Sequence, residues 1–252
     1  MQARDTRTMQ GMQMDNSELS IADIASDVLE RLPDRTEEVE EQERVRGQID
    51  RQDRLAKFYR YIGPRLAEAR LENYECRHPG QAKLLEALRD YAENMAAKVA
   101  VGAGIILFGP SGSGKDHLLS ALGRVAIGKY GFRVYWADGM DLMGEVRDRI
   151  GGNESEASWV GKLTAPEILY LSDPTPPKGE LTTHQSAMLG RVLDRRNRSL
   201  KPTWVSMNVR NSGEAESIMG TRLVDRLKDG ALAAFCNWPS FRKSILIGGA
   251  GG

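Results

Sequence analysis

Residues 109–116 read Gly-Pro-Ser-Gly-Ser-Gly-Lys-Asp, and no other stretch restricts the fold of this chain so severely. The pattern Gly-x-x-x-x-Gly-Lys follows a short apolar run, Gly104–Phe108 (GIILF), and opens a helical pattern from His117 to Tyr130. A glycine-rich turn between a buried strand and a helix N-terminus cradles phosphate, because its backbone N–H groups and the helix dipole both favour an anion. With 26 glycines in 252 residues, chance produces this pattern about 0.1 times per chain. Gly109, Ser111, Gly112, Ser113, Gly114 and Lys115 are therefore the candidate nucleotide contacts, with Asp116 and His117 following them. Lys115 would reach the β- and γ-phosphates of ATP.

Two features depart from the usual pattern. The residue after the lysine ordinarily offers a hydroxyl to Mg²⁺, whereas here it is Asp116. A carboxylate is a hard oxygen ligand and suits Mg²⁺, directly or through water. Without the metal it sets negative charge beside the phosphates. The second metal acid expected of such a site is Asp173, which follows the apolar run Ile168–Ser172 (ILYLS); the alternative is a turn aspartate at a strand end. Pro174 comes next, where many ATPases of this kind carry a glutamate that polarises the attacking water. Either another carboxylate serves, Glu180 and Glu167 being near in sequence, or hydrolysis is slow.

The remainder of the chain fits around this loop. Gln81–Lys98, Asp141–Ile150, Thr183–Arg198 and Gly220–Lys228 have helical patterns, while Phe132–Ala137, Ile168–Ser172 and Thr203–Asn208 read as strands. Alternation of such elements predicts an α/β fold, a mostly parallel sheet between helices. At 40% hydrophobic residues the chain can build one sizeable core. No run approaches the ~18 apolar residues of a membrane span, and no secretory leader opens the chain. A cytoplasmic protein is expected. Cys76 and Cys236 form no ligand cluster and are expected to be buried small hydrophobes.

Charge divides the chain near residue 60. Residues 1–60 hold 10 basic and 14 acidic side chains, and the whole chain is balanced at 35 of each. Residues 1–16 lack periodicity and are expected to be disordered. Ser20 and Asp23 resemble a capping box, ahead of Ile21, Ile24, Val28 and Leu32 on one helical face that Pro33 ends. From Thr36 to Arg60 a charged helix is expected, broken or weakened at Gly47. The division is thus a helical arm over 1–60, a core over 61–244 and a flexible tail over 245–252. The arm is either a solvated extension or a docking element for a partner.

With these residues in place, the chain resembles the DnaC-like helicase loaders and the related IstB-like transposition helpers, both AAA+ ATPases. The resemblance runs over about residues 62–243. It begins at IGPRLAEARLENY (62–74) and passes through GSGKDHLLSAL (112–122), VLDRRNRSLKPTWVSMN (192–208) and MGTRLVDRL (219–227). It ends at FCNWPSFRKS (235–244); the arm has no recognisable counterpart. It implies a P-loop AAA+ core lacking a full helical lid, since 26 residues follow Arg226. It also implies that Asn208 is sensor 1, Arg226 the arginine finger that acts on a neighbouring subunit, with Arg222 a second candidate, and Arg242 sensor 2. The catalytic set is then Lys115, Asp173, Asn208 and Arg226, and the metal set Asp116 and Asp173. The cofactors implied are ATP and Mg²⁺.

The partners implied are a replicative helicase held through residues 17–60, single-stranded DNA, and further copies of the chain on ATP binding, with no membrane. Three other readings stand beside this one: a transposition helper, a nucleotide-gated adaptor with little hydrolysis, and a small-molecule P-loop kinase. The order Asn208, Arg226, Arg242 suits the last least. Arg191, Arg195, Arg196, Arg198 and Lys201 lie within 11 residues and read equally as a DNA contact or a solvated helix end. Trp136, Trp204 and Phe235 are expected in the core.

Overall fold

The computed structural model describes residues 35–148, 155–176 and 178–242. The helix expected over 20–32, the start expected to be disordered and the tail expected to be flexible lie outside these residues. The chain forms two compact units, residues 1–48 and 49–252. Within the first, the described part is the beginning of helix α1 (Arg35–Ile62). This helix runs unbroken through Gly47, contrary to the expectation from sequence. One glycine costs a helix about 1 kcal/mol, and ion pairs on its surface, Arg44 to Glu41 and Arg54 to Asp50, favour the helical geometry. Val39, Val45 and Ile49 are exposed on it.

The second unit is built on a five-stranded parallel sheet of order β2-β3-β4-β1-β5. The strands are β1 (Ile105–Phe108), β2 (Val134–Asp138), β3 (Ile168–Ser172), β4 (Thr203–Met207) and β5 (Leu232–Phe235). Period-2 alternation splits the apolar strand residues between two faces. On one face Ile105, Leu107, Ile168, Tyr170 and Trp204 pack against α3 (Pro79–Glu93), α4 (Met95–Ala100) and α5 (Lys115–Gly128). On the other, Ile106, Phe108, Leu169, Leu171, Val205 and Met207 meet α6 (Gly139–Asp148), α7 (Glu156–Thr164), α8 (Thr183–Arg198) and α10 (Thr221–Lys228). Two short helices, α2 (Pro64–Ala67) and α9 (Ser212–Met219), complete the described elements. The sheet between two helical layers is the AAA+ P-loop arrangement expected from the sequence.

Several local expectations are corrected. Gln81–Lys98 is two helices, divided at Asn94, whose backbone (φ −98°, ψ +19°) departs from the helical region and whose side-chain amide also donates to the Asp90 carbonyl. Phe235 is 45% exposed: it ends an edge strand, stacks on Phe108 at 5.1 Å and, among the described residues, has no strand beyond it. Trp204 is buried and Trp136 partly so. Cys236 is buried, but Cys76 is exposed, on a segment outside any regular element. Arg196, grouped by sequence with surface arginines, is wholly buried. Its neighbours are also engaged: Arg191 pairs with Glu156, and Lys201 donates to the Thr164 and Ala165 carbonyls. Arg196 therefore drops out of the basic cluster, while Arg191, Arg195 and Arg198 remain exposed.

Candidate functional site

All five strands are parallel, so their C-terminal ends meet at one edge of the sheet, where α/β proteins place ligands. Gly109 leaves β1 there, Asp173 leaves β3 and Asn208 leaves β4. These ends and the start of α5 assemble the site.

Residues 109–114 form the loop. Gly112 and Gly114 have φ of +82° and +90°, a region open to glycine. Glycine is also required there for space. A Cβ on Gly112 would lie 2.1 Å from the Ser240 hydroxyl, and one on Gly114 would lie 2.8 Å from the Tyr74 ring. The Ser113 carbonyl accepts from the Trp238 indole at 2.7 Å and the Tyr74 hydroxyl at 3.3 Å. In a trans peptide the next N–H points the opposite way, so these two aromatics aim the Gly114 N–H away from themselves. The Phe241 N–H donates to the Gly112 carbonyl at 2.8 Å, which ties the C-terminal segment to the loop.

Lys115 is only 4% exposed. Its ammonium donates to the Gly109 and Pro110 carbonyls at 2.8 and 2.9 Å and to Asn208 Oδ1 at 3.0 Å. Burial lowers its pKa, against the pull of Asp116 and Asp173. The Asn208 amide donates in turn to Asp173 Oδ2 at 2.5 Å, and its backbone N–H to Oδ1 at 3.2 Å. Lys115, Asn208 and Asp173 are thus one hydrogen-bonded chain across three elements. Asp173 has a φ of +52°, a left-handed conformation uncommon outside glycine and found where surrounding structure enforces it.

Asp116 occupies the first turn of α5, and three hydroxyls converge on its Oδ1: Ser206 at 2.6 Å, Tyr170 at 2.7 Å and Ser172 at 3.2 Å. Burial and the neighbouring carboxylate push the Tyr170 pKa well up, so the phenol stays a donor. Ser172 and Ser206 are register partners on β3 and β4. Among the described residues no three carboxylate, imidazole or thiolate groups converge. A few hard oxygens beside a phosphate loop are nevertheless what Mg²⁺ uses, because it keeps its waters and takes the rest from phosphates.

The loop floors a cleft of about 420 Å³, within the range of small-molecule sites. Lys115, Asp116, His117, Asn208 and Arg242 line it, as do Ser111, Gly112 and Gly114. The local patterns gave no sign of its walls: Asn73, Tyr74 and Arg77 from the lead-in, and Phe241 from the C-terminal segment. Phe241 stands edge-on to Tyr74 at 5.6 Å, and the Arg77 guanidinium lies 4.8 Å over its ring. His117 contacts the Arg70 carbonyl at 3.0 Å. Apolar and cationic groups framing a phosphate loop suit a purine nucleotide.

Other candidates fall elsewhere. Arg226 pairs with Asp194 of the same chain, its side chain 26% exposed, and neither it nor Arg222 lines the cleft. Arg222 lies 3.9 Å from the same Asp194 with its side chain 80% exposed. Glu167 precedes β3, at the end of the sheet remote from the loop, where the Arg133 guanidinium holds its pKa down to about 2. Glu180 is exposed and outside the cleft lining.

Over residues 8–196 the sequence matches the family described as IstB-like ATP binding protein. The chain belongs to this family. The match takes in most of the arm, in which the sequence alone offered no resemblance. Relatives in replication are similar too. The replicative helicase loader DnaC of Buchnera aphidicola subsp. Acyrthosiphon pisum is 29% identical over 177 residues, 69% of either chain. That of Buchnera aphidicola subsp. Baizongia pistaciae is 30% identical over the same shares. In fold, the chain is similar to a DnaC helicase loader crystal structure, with a TM-score of 0.61 at 22% identity over 69% of this chain and 99% of the other. It is similar also to DnaI, with a TM-score of 0.57 at 17% identity over 71% and 94%. The replication initiator DnaA, bound to AMPPCP and single-stranded DNA, gives 0.57 at 19% identity over 69% and 50%. Family membership makes this an ATP-binding fold.

Proposed function

We propose that the chain is an ATP-dependent loader of a replicative helicase. The observation that carries this is the hydrogen-bonded chain Lys115–Asn208–Asp173 at the mouth of a phosphate loop, in a chain whose relatives include DnaC loaders over two thirds of their length. Lys115 exchanges its bonds to the loop carbonyls for bonds to the β- and γ-phosphates. Asn208 links the lysine to Asp173 and senses the γ-phosphate. Arg242, at the rim, closes on the phosphates from the C-terminal side. Mg²⁺, when bound, would neutralise charge on the phosphates; Asp116 and Asp173 are the two carboxylates beside the loop, available between them for holding it and for orienting water. Turnover is slow in the chain alone.

Arg226, or Arg222 one turn earlier, reaches the ATP of a neighbouring copy, so ATP binding and oligomerisation are linked. The arm, residues 17–60, docks the helicase, and the assembled core holds single-stranded DNA in the cytoplasm. The family description favours one other reading, a transposition helper that binds duplex DNA and a transposase through the same core.

The test is ATP binding and steady-state turnover by the purified chain, with and without single-stranded DNA, beside Lys115→Ala, together with capture of the host's replicative helicase ring. Loss of a buried charged contact to phosphate should weaken ATP binding in the variant by on the order of a hundredfold. Helicase capture that vanishes when residues 17–60 are removed supports the loader. Turnover stimulated only by duplex DNA, with no helicase bound, would reject it in favour of the transposition helper.

A further inference from the structure

Nucleotide sites of this fold ordinarily draw two oxygens to the metal, a hydroxyl from the residue after the loop lysine and a carboxylate from the end of the acid-bearing strand. In this chain the residue after Lys115 is the acid, Asp116, and the strand β3 ends on the hydroxyl, Ser172. We propose that the two metal donors have exchanged elements: Asp116 supplies the metal-facing carboxylate, Ser172 the hydroxyl, and Asp173 is left to orient and deprotonate the attacking water. This rests on the ATP-binding reading above.

Strand geometry supports the exchange. Alternation along β3 puts Ser172 on the face of Ile168 and Tyr170, which packs against α5. The Ser172 hydroxyl accordingly meets Asp116, at 3.2 Å. One residue further on, Asp173 turns the other way, where the Thr175 hydroxyl donates to it at 2.7 Å and Asn208 at 2.5 Å. The exchange preserves one carboxylate and one hydroxyl at the metal, so the charge facing the phosphates is unchanged. It also removes the difficulty posed by Pro174. The carboxylate that polarises water is Asp173, one residue earlier, held beside the γ-phosphate sensor Asn208. In the step it serves, the water oxygen bonds to the γ-phosphorus while the bond from that phosphorus to the β–γ bridging oxygen breaks. The water proton passes to Asp173, then to the inorganic phosphate, and ADP leaves.

The test measures ATP affinity by calorimetry in Mg²⁺ and in EDTA, for the unaltered chain, Asp116→Asn, Asp173→Asn and the double exchange D116S/S172D. Thermal melting checks folding. Asparagine keeps an acceptor for the three hydroxyls, and the double exchange gives a second route if Asp116→Asn does not fold. The unaltered chain should bind ATP about tenfold more tightly with Mg²⁺, and Asp116→Asn should lose that gain. Asp173→Asn should keep the gain while turnover falls about tenfold or more. The double exchange should restore the gain. A gain that survives Asp116→Asn, or one lost in Asp173→Asn, would overturn the assignment. ATP binding indifferent to Mg²⁺ in the unaltered chain would overturn it while sparing the ATP reading; absence of ATP binding in either condition would overturn both.

Discussion

A buried guanidinium needs five acceptors, and Arg196 has them. It donates to the Thr203 hydroxyl and to the carbonyls of Leu163, Pro166, Glu167 and Pro202, at 2.7 to 3.1 Å. Burial draws its pKa down to about 9, which leaves it charged at neutral pH. Arg196→Met strips a bond from each of five groups and should cost about 3 kcal/mol, lowering Tm by on the order of 10 °C in a melting experiment. Glu167 gives a smaller, pH-dependent effect. Its folded pKa of about 2 lies below the usual 4.5, so its contribution is full above pH 4.5 and disappears as pH falls through about 2. It is about a third exposed, so this contribution is discounted to about 1 kcal/mol or less. Comparing Tm against pH for the protein and Glu167→Gln, the gap should close between pH 4.5 and 2. The sequence showed neither structural role: Glu167 read as a candidate water-polarising carboxylate and Arg196 sat in a run of basic residues, and their partners come from segments that only the fold brings together.

Elements were legible where one local signal sufficed. β1, β3 and β4 are short apolar runs, and α5 begins where the glycine loop ends, so the fold and the phosphate loop could be read directly. The edge strand β5, with its sequence LAAF, has one neighbour and no full burial, and nothing marked it. α7 and α9 are short and only weakly amphipathic, unlike the equally short α10, whose Leu223, Val224 and Leu227 share one buried face. The cleft walls are tertiary, since Tyr74 and Phe241 are far apart in sequence yet meet over the loop. That meeting gives a prediction at this scale. Gly112→Ala forces a Cβ onto the Ser240 hydroxyl and an unfavourable φ onto the loop. The C-terminal segment should lift off, and ATP affinity should fall about tenfold with little loss of Tm.

For the whole molecule, the finger arginines are the feature that looks outward. Arg226 is held by Asp194 in its own chain and Arg222 extends from the surface beside it. If either acts on a neighbour, its alanine variant should bind ATP normally in isolation yet turn it over at least about tenfold more slowly. Mixing that variant with Lys115→Ala, which keeps the arginine but not the nucleotide, should recover turnover that neither has alone. Titrating one against the other in an ATPase assay checks this directly. The indole of Trp238, bonded to the Ser113 carbonyl at 2.7 Å, has a different consequence. The phosphate loop carries its own optical reporter. Arrival of a triphosphate that shifts the Ser113 peptide alters the polarity sensed by that ring, so ligand occupancy is readable as intrinsic emission from unlabelled protein, against the steady background of Trp136, Trp159 and Trp204.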